Sequence, residues 1–428
     1  MVVTALVLNL FGAVSLTGTK APSAATPFVG EVDAWAMLFQ MMNRLESATA
    51  KQELTLIDTE DPFASAAVSS LLAELKKRPG PQNVALKMKW IRFVRLISTL
   101  HEAADKNDLD KTTTLMQKAA EEFRQLQATA DPKILVAAQD LTKRYTCPMH
   151  PDVIAAKADH CPKCGMVLDQ PMVLLPAHLI GANSVLHQVT ATVTTDVPLQ
   201  PGKVAHAVLH LRRSTGHPLT LDQLLETHMY KIHLLIIDGS LNDYHHEHPE
   251  PTNVPGDYAF AFTPAKPGSY FAWADLRPLP FGLQEYDRTM IAGTGELPRI
   301  DDRQTKLSAD SQGYRFELGL SKNEIRAGEP VDARLTVTRD GKGFDQLEPV
   351  MGAFAHIVGF NEDLETVLHI HPMESRVLQA HDRGGPVLQF KIYASKAGFT
   401  RFFAQLQIDG RQLFVPFALP ILMQNAAN

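Results

Sequence analysis

The sequence is poor in cysteine and in long apolar runs, and both absences restrict what the chain can be. Only three cysteines, Cys147, Cys161 and Cys164, occur in 428 residues, so they cannot all pair within one chain. Their close spacing favours metal binding over disulfides, although an oxidising compartment would allow a Cys161–Cys164 bridge without metal. Beyond the N-terminus, no segment approaches the roughly 18 consecutive apolar residues that span a bilayer. We therefore expect no membrane span in the mature chain.

An excess of positive charge is also missing. The net charge of −6 and the absence of any nucleic-acid-binding motif give no reason to expect nucleic acid as a partner. The hydrophobic fraction of 45% and charged fraction of 21% are typical of soluble globular proteins, and the length suits about three domains.

The first 25 residues contain the longest apolar run, from about Val2 to Leu16, followed by small residues. This pattern resembles a secretory signal peptide that lacks a basic N-terminal region. We predict that residues 1–25 are a signal peptide and that the mature protein is periplasmic or otherwise exported. A buried N-terminal helix is the alternative.

The remaining chain divides into a helical half and a β half. From residue 29 to 141 apolar residues recur at helical spacing, as at Trp35, Leu38 and Met42, which predicts a helical bundle. After residue 172 the apolar residues alternate with period two, with glycine and proline between the runs, which predicts β-sandwiches. The bundle itself carries no recognisable functional motif.

The β half is duplicated within the chain. The segment Pro201–Leu209 is similar to Ala327–Leu335, and Lys266–Ala274 is similar to Lys396–Ala404. We therefore predict two tandem sandwiches, at residues 172–298 and 307–424. The predicted fold class is a multidomain α + β protein in which a small knuckle-type module at residues 145–170 joins the helical bundle to the two sandwiches.

The module contains all three cysteines. Cys147-x2-His150 and Cys161-x2-Cys164 form two knuckles that can close tetrahedrally around one ion. Thiolate and imidazole ligands suit zinc; the thioethers of Met149 and Met166 extend the ligand set toward Cu(I) or Ag(I). The motifs CPMHP and CPKCGM resemble the heavy-metal-binding domain attached to copper and silver efflux adaptors and to copper P-type ATPases. That resemblance implies copper or silver, whereas the Cys3His set alone is typical of structural zinc.

Histidine is in excess, and all 17 histidines except His101 and His381 lie between positions 150 and 371. The duplication repeats one histidine pattern in both sandwiches. The two predicted triads are His233, His246 and His248 in the first copy, and His356, His369 and His371 in the second.

Each triad spans a predicted hairpin. A turn near Gly239 or Ser240 is expected to set His233 opposite His246, with His248 on the same face of the sheet. A second turn, near Glu362 and Asp363, would repeat this arrangement. Three converging imidazoles suit Cu(II) or zinc, and a nearby methionine, Met229 or Met351, would add a soft ligand. Histidines that form hydrogen bonds without any ion are the alternative.

Other histidines receive weaker assignments. In the first copy His245 adjoins His246, so either is a candidate ligand there. Histidines without a counterpart in the second copy are assigned to loops or sheet faces, with a secondary site as the alternative: His206, His210, His217 and His228.

The segments around the triads, Glu226–Pro249 and Phe354–Pro372, resemble bacterial exported Ig-like domains with a histidine strand, an acidic turn and a His-x-His-Pro ending. Such domains commonly accompany the heavy-metal-binding module. The resemblance implies metal handling.

Two functions from different classes follow. The first is a cell-envelope protein that sequesters or delivers copper, with zinc or silver as possible ions and a metal efflux or delivery protein as a possible partner. The second is a structural or interaction protein. Its zinc only stabilises the module between the helical half and the β half, while the sandwiches bind another protein. We expect no enzyme, because neither sandwich has the cysteine of a blue-copper site, and Glu247 faces away from His246 and His248.

Overall fold

The computed structural model describes residues 30–57, 60–77, 80, 83–157, 159–168, 170–174, 188–373 and 379–425. The predicted signal peptide lies outside these ranges. Within them, five α-helices are followed by antiparallel β-sheets, which confirms the predicted multidomain α + β fold with a helical bundle and β-sandwich-like domains. None of the described helices is both long and apolar enough to cross a membrane.

The helical bundle is held together by an aromatic core. Its helices are α1 (Glu31–Lys51), α2 (Asp61–Lys77), α3 (Asn83–Asp105), α4 (Leu109–Gln127) and α5 (Pro132–Thr142), with a 3-10 turn at Leu54–Leu56. The Trp35 ring packs edge-on against Trp90 at 5.3 Å, and Phe93 stacks on Phe123 at 5.8 Å. Asp131 starts α5 by accepting a hydrogen bond from the Lys133 N–H. These contacts bury the apolar stripe that the helical spacing predicts.

Side-chain contacts fix the bundle to the rest of the chain. Phe63 of α2 stacks on Phe281 of the first sandwich with ring centroids 5.0 Å apart. The Gln40 side chain of α1 donates to the Met172 carbonyl and accepts from the Leu174 N–H. The bundle therefore packs against both the first sandwich and the segment that leads into it.

The small module between the halves, called the cysteine module (residues 144–171), contains a three-stranded sheet. Its strands are β1 (Tyr145–Thr146), β2 (Ile154–Ala155) and β3 (Gln170–Pro171), in the order β2-β1-β3. The strands are too short to form a core by themselves. The buried centre of the module consists of its three cysteines and Leu168.

The first sandwich has two sheets, with the orders β4-β5-β10-β9 and β12-β11-β7-β8; β6 pairs with β11. Its strands are β4 (Val189–Thr195), β5 (Ala205–Arg213), β6 (Leu224–Leu225), β7 (Ile232–Asp238), β8 (Tyr244–Glu247), β9 (Glu250–Pro251), β10 (Asp257–Phe262), β11 (Tyr270–Pro278) and β12 (Glu285–Ile291).

The second sandwich repeats this plan with the orders β13-β14-β16-β17 and β15-β22-β21-β18-β19; β20 pairs with β16. Its strands are β13 (Ser308–Ser311), β14 (Tyr314–Leu320), β15 (Ile325–Arg326), β16 (Pro330–Arg339), β17 (Lys342–Gly343), β18 (His356–Asn361), β19 (Val367–Ile370), β20 (Val387–Tyr393), β21 (Gly398–Ile408) and β22 (Arg411–Leu422).

The two sandwiches pack against each other through the sheets that carry the histidines. Every residue of β7, β11 and β18 is buried, because one face of each strand lies in its own sandwich and the other faces the opposite sandwich. Leu235 and Trp273 of the first copy pack in one cluster with Val358 and Phe403, their equivalents in the second. The contact, called the inter-sandwich interface, therefore has an approximate two-fold symmetry that follows from the duplication.

The register of both histidine hairpins differs from the prediction. His246 lies opposite Leu235 rather than His233, and His369 lies opposite Val358 rather than His356. The prediction of directly opposed histidines was therefore wrong by two positions. A shift of two residues keeps each side chain on its face of the sheet, so the histidines still share the interface side.

The turn geometry explains this shift. The Asp238 carboxylate accepts hydrogen bonds from the N–H groups of Ser240, Asn242 and Asp243, and Leu241 takes a left-handed conformation with φ of 58°. These bonds move the centre of the turn beyond Ser240. The second hairpin has the same left-handed residue at its equivalent position, Leu364 with φ of 54°.

A buried carboxyl group in the first sandwich predicts a pH-dependent stability. Burial raises the pKa of Glu285 from 4.5 to about 8, partly offset by hydrogen bonds from Gln188. Since the folded pKa exceeds the unfolded one, the stability contribution is full below about pH 4.5 and declines up to about pH 8, by at most about 1.4 kcal/mol per pH unit.

We therefore expect Glu285→Gln to gain stability relative to the native protein as the pH rises from 5 to 8. Denaturant unfolding at several pH values measures this difference. Glu296→Gln, at an exposed glutamate, is the control and should show a flat difference. A flat difference for Glu285→Gln as well would contradict a neutral Glu285.

Candidate metal centres

The cysteine module brings four predicted ligands together. The ligand atoms of Cys147, His150, Cys161 and Cys164 all lie within 4.8 Å of one another. The Cys147 and Cys164 sulfurs are 3.5 Å apart, and His150 Nδ1 lies 3.7 Å from the sulfurs of both Cys147 and Cys161. Tetrahedral zinc with bonds of about 2.3 Å to sulfur would give sulfur separations of about 3.8 Å. The four atoms therefore surround a volume suited to one ion.

The local backbone creates this arrangement. The Gly165 N–H donates to the Cys161 carbonyl at 2.8 Å, and the Cys161 N–H donates to the Met166 carbonyl at 2.7 Å. Gly165 has a φ of +81°, a left-handed conformation that glycine adopts without strain. The tight turn directs Cys161 and Cys164 to the same side.

The thiols cannot all ionise without a cation. Hydrogen bonding to Cys161 raises the pKa of Cys147 to about 12, and hydrogen bonding to Cys147 raises the pKa of Cys164. The same contacts lower the pKa of Cys161, so one thiolate is favoured at the expense of its neighbours. A metal ion would supply the charge that allows three thiolates to coexist.

The other predicted or neighbouring side chains of the module occupy different places. Met149 and Met166 are partly buried and pack against the cysteine cluster. His160, next to Cys161 in sequence, is exposed and is not among the four clustered ligands.

The first histidine triad also converges. His233 Nδ1 lies 3.1 Å from His246 Nε2 and 3.2 Å from His248 Nε2. His246 rather than His245 faces the inter-sandwich interface, whereas His245 points the other way, toward Asp243 and Phe262.

Hydrogen bonds to oxygen fix which nitrogens of this triad carry lone pairs. His233 Nε2 donates to the Thr227 carbonyl at 2.8 Å, and His246 Nδ1 donates to the Gln405 side-chain oxygen at 2.8 Å. In neutral imidazoles the lone pairs are then on His233 Nδ1 and His246 Nε2, which face each other. Two lone pairs at 3.1 Å repel unless a cation lies between them.

A metal ion meets this requirement better than a proton does. Burial and the nearby imidazole of His233 lower the pKa of His246 well below its usual value and that of His248 to about 3. A tetrahedral metal with bonds of about 2.05 Å to nitrogen would separate the nitrogens by about 3.3 Å. The observed distances are close to this value.

The second group differs in composition from the predicted triad. The ligand atoms of His356 and His371 cluster with that of His228, which comes from the first sandwich. The His228 ring lies 4.0 Å from the His371 ring and 5.0 Å from the His356 ring. The assignment of His228 to an ordinary loop position does not account for this placement, which the sequence did not indicate because the second copy lacks an equivalent histidine.

The third predicted member, His369, lies between the two groups. Its ring is 4.6 Å from His371 and 5.8 Å from His233. His369 Nδ1 donates to the Asp275 carboxylate at 2.6 Å, which leaves its Nε2 as the nitrogen with the lone pair. Carboxylates that orient histidines in this way are common behind metal ligands.

His369 and the second group contain several buried nitrogens that have no hydrogen-bond partner among the described residues. They are His228 Nε2, His356 Nδ1, His369 Nε2 and both ring nitrogens of His371. Because unsatisfied buried polar atoms cost free energy and are rare, a concentration of them fits a site that binds a ligand. Together the two groups form one histidine cluster, defined as His228, His233, His246, His248, His356, His369 and His371.

Two residues that support the histidines, Asp275 and Gln405, were not predicted from the sequence. Asp275 pairs with His233 across β7 and β11, and Gln405 pairs with His356 across β18 and β21, so they occupy equivalent positions of the duplication. Each supports a histidine of the opposite sandwich, as the hydrogen bonds to His369 and His246 require. A polar residue in a fully buried strand was the signal that could have identified both.

A chain of hydrogen bonds joins the cysteine module to the histidine cluster. The Gln284 N–H donates to the Pro148 carbonyl at 3.1 Å, and the Gln284 side chain donates to Asp275 at 2.6 Å. Burial raises the pKa of Asp275 to about 6. Asp275 is therefore the contact through which both metal-site regions share one hydrogen-bond network.

Comparisons with known proteins agree with the geometry of the module. Residues 144–168 match the family model of the heavy metal binding domain. Together with the cluster of Cys147, His150, Cys161 and Cys164, this match supports a metal-binding module. A second family model, described as a domain of unknown function (DUF8832), matches residues 184–280 and 309–421, which include the whole histidine cluster.

The other comparisons add little. No curated protein matches the chain. Among solved structures, the adhesin InvE of Yersinia pseudotuberculosis is similar over 55% of this chain and 58% of its own chain, with 11% identity and a TM-score of 0.16. A likeness this low carries no argument about fold or function.

The module geometry predicts the effect of removing one thiol. Cys161→Ser should lower the affinity of the module for Cu(I) or Zn(II) by at least about tenfold, since even outer partners of ligands contribute that much. Competition with a chromophoric chelator measures the affinity. His160→Ala, at the exposed neighbouring position, is the matched control and should change nothing. Equal effects of both substitutions would contradict the assigned ligand set.

Proposed function

We propose that this protein sequesters or delivers copper in the cell envelope. One ion occupies the cysteine module and further ions occupy the histidine cluster. The observation that carries the proposal is the facing pair of lone pairs on His233 Nδ1 and His246 Nε2, 3.1 Å apart in a buried site. That arrangement is unfavourable in the empty protein and favourable around a cation.

The combination of ligands supports copper over other ions. Thiolates and thioethers favour Cu(I), whereas imidazole groups bind Cu(II) and Zn(II) as well. Copper is the ion for which one chain benefits from both kinds of site, because it alternates between two oxidation states. Zinc and silver are the ions whose binding is compared with that of copper.

The proposed location in the cell envelope rests on the apolar run near the N-terminus. The proposal also assigns no catalytic activity to the protein. The two histidine groups are supported by Asp275 and Gln405, which hold ligands in place. In this proposal, the side chains of Asp275 and Gln405 orient the metal ligands. A metal efflux or delivery protein is the partner that such a carrier would serve.

Metal analysis of the purified full chain tests the proposal. After loading with copper and removal of loosely bound ions, we expect roughly three copper ions per chain, one for each group of ligands. Cys147→Ser with Cys161→Ser should remove one ion. His369→Ala with His371→Ala should remove at least one other.

The control pair is His210→Ala with His217→Ala, which changes two histidines of the first sandwich that lie outside the cluster. This pair should keep the full copper content. The proposal fails if the histidine substitutions in the cluster leave the copper content unchanged while the cysteine substitutions abolish the only bound ion. It also fails if zinc binds to every site in preference to copper.

A further inference from the structure

A duplicated turn precedes the first histidine of each copy, and the two turns carry different side chains at their second residue. The second residue of each turn lies five positions before the histidine: His228 before His233, and Met351 before His356. The backbones match: His228 and Met351 both have a φ of 50°, and an isolated bridge closes each turn, Thr227 to Tyr230 and Val350 to Ala353.

The two turns also hold the neighbouring histidine in the same way. The residue before His228, Thr227, accepts a hydrogen bond from His233 Nε2, and the residue before Met351, Val350, accepts one from His356 Nε2. The turns are therefore equivalent in backbone conformation, in hydrogen bonding and in position relative to the first histidine.

His228 uses this position to reach the other sandwich. Its ring packs against His371 and His356, which belong to the second copy, rather than joining the triad of its own hairpin. A non-glycine residue in a left-handed conformation is strained, and such strain is concentrated at functional sites. The strain at position 228 is consistent with a side chain that is held for a ligand role.

The approximate two-fold symmetry of the interface gives the direction of Met351. His246 of the first copy bonds to Gln405 of the second, and its equivalent His369 bonds to Asp275 of the first. Applied to the turns, the same symmetry carries the residue equivalent to His228 toward the first triad. Met351 is 8% exposed, whereas Met229, the methionine of the first turn, is 65% exposed and faces solvent.

We propose that the two histidine sites are chemically unequal, because each receives one ligand from the opposite sandwich and those two ligands differ. Met351 adds a thioether to the site of His233, His246 and His248. His228 adds an imidazole to the site of His356 and His371. The first site accordingly selects Cu(I), and the second selects Cu(II) or another divalent ion of the same preference. This inference rests on the proposed metal binding by the cluster.

The test separates the two sites by oxidation state. The full chain carrying Cys147→Ser with Cys161→Ser, which leaves a single thiol in the cysteine module, is the parent. Met351→Leu keeps the side-chain volume and removes the sulfur. Met229→Leu, in the equivalent left-handed turn of the first copy, is the matched control. Cu(I) affinity is measured anaerobically by competition with bathocuproine.

We expect Met351→Leu to weaken Cu(I) binding by about tenfold or more, and Met229→Leu to leave it unchanged. His228→Asn, which suits the left-handed backbone but is too short to reach the second site, should instead weaken Cu(II) binding. Electron paramagnetic resonance of the Cu(II) form should then lose nitrogen hyperfine structure. Circular dichroism verifies that each variant is folded.

The outcomes distinguish this inference from the proposed function. If the parent binds no copper in either oxidation state, the histidine cluster is not a copper site, and both proposals fall. If the parent binds copper but Met351→Leu and Met229→Leu behave alike, or His228→Asn leaves Cu(II) binding intact, only the inequality of the sites is overturned. Met351→His gives a further check, since it should raise Cu(II) binding at the first site at the expense of Cu(I).

Discussion

The structure depends on one constraint, which is that imidazole rings buried between two β-sandwiches must have their nitrogens satisfied. Backbone carbonyls, Asp275 and Gln405 satisfy one nitrogen of several rings and fix their tautomers. The opposite nitrogens then point into the cluster, where the lone pairs of His233 Nδ1 and His246 Nε2 face each other. A bound cation resolves this conflict, so the same hydrogen bonds that orient the ligands also make the empty cluster costly.

Gene duplication accounts for how such a cluster can form. One hairpin with a histidine on the first strand and two on the second cannot enclose an ion from all sides. Two copies that pack face to face bring their histidines together, and each supplies support to the ligands of the other. The inter-sandwich interface is therefore part of the candidate metal site, and the apolar cluster that contains Leu235, Trp273, Val358 and Phe403 positions it.

The sequence predicted much of this architecture, because its signals were local. Helical spacing predicted the bundle, period-two alternation predicted the sheets, and the short Cys-x2-His and Cys-x2-Cys spacings predicted the module whose four ligand atoms lie together. The faces of His233 and His356 also followed from alternation along a strand. The hairpin register did not, because the left-handed residues Leu241 and Leu364 move each turn in a way that residue patterns do not reveal.

Features that depend on packing between the two sandwiches could not be predicted from the sequence. His228 has no histidine equivalent in the second copy, and only the crossing of the interface shows that it meets His356 and His371. The roles of Asp275 and Gln405 are of the same kind, since each acts on a histidine of the other copy. The link from Pro148 through Gln284 to Asp275 also joins segments that are distant in sequence.

Anomalous diffraction from crystals of the copper-loaded full chain, recorded on both sides of the copper absorption edge, tests the central claim most directly. The account predicts one copper peak among Cys147, His150, Cys161 and Cys164. It also predicts copper density inside the histidine cluster, adjacent to His233 Nδ1 and His246 Nε2. Density in the cysteine module alone, with the histidines unchanged and without any ion between them, would contradict the account.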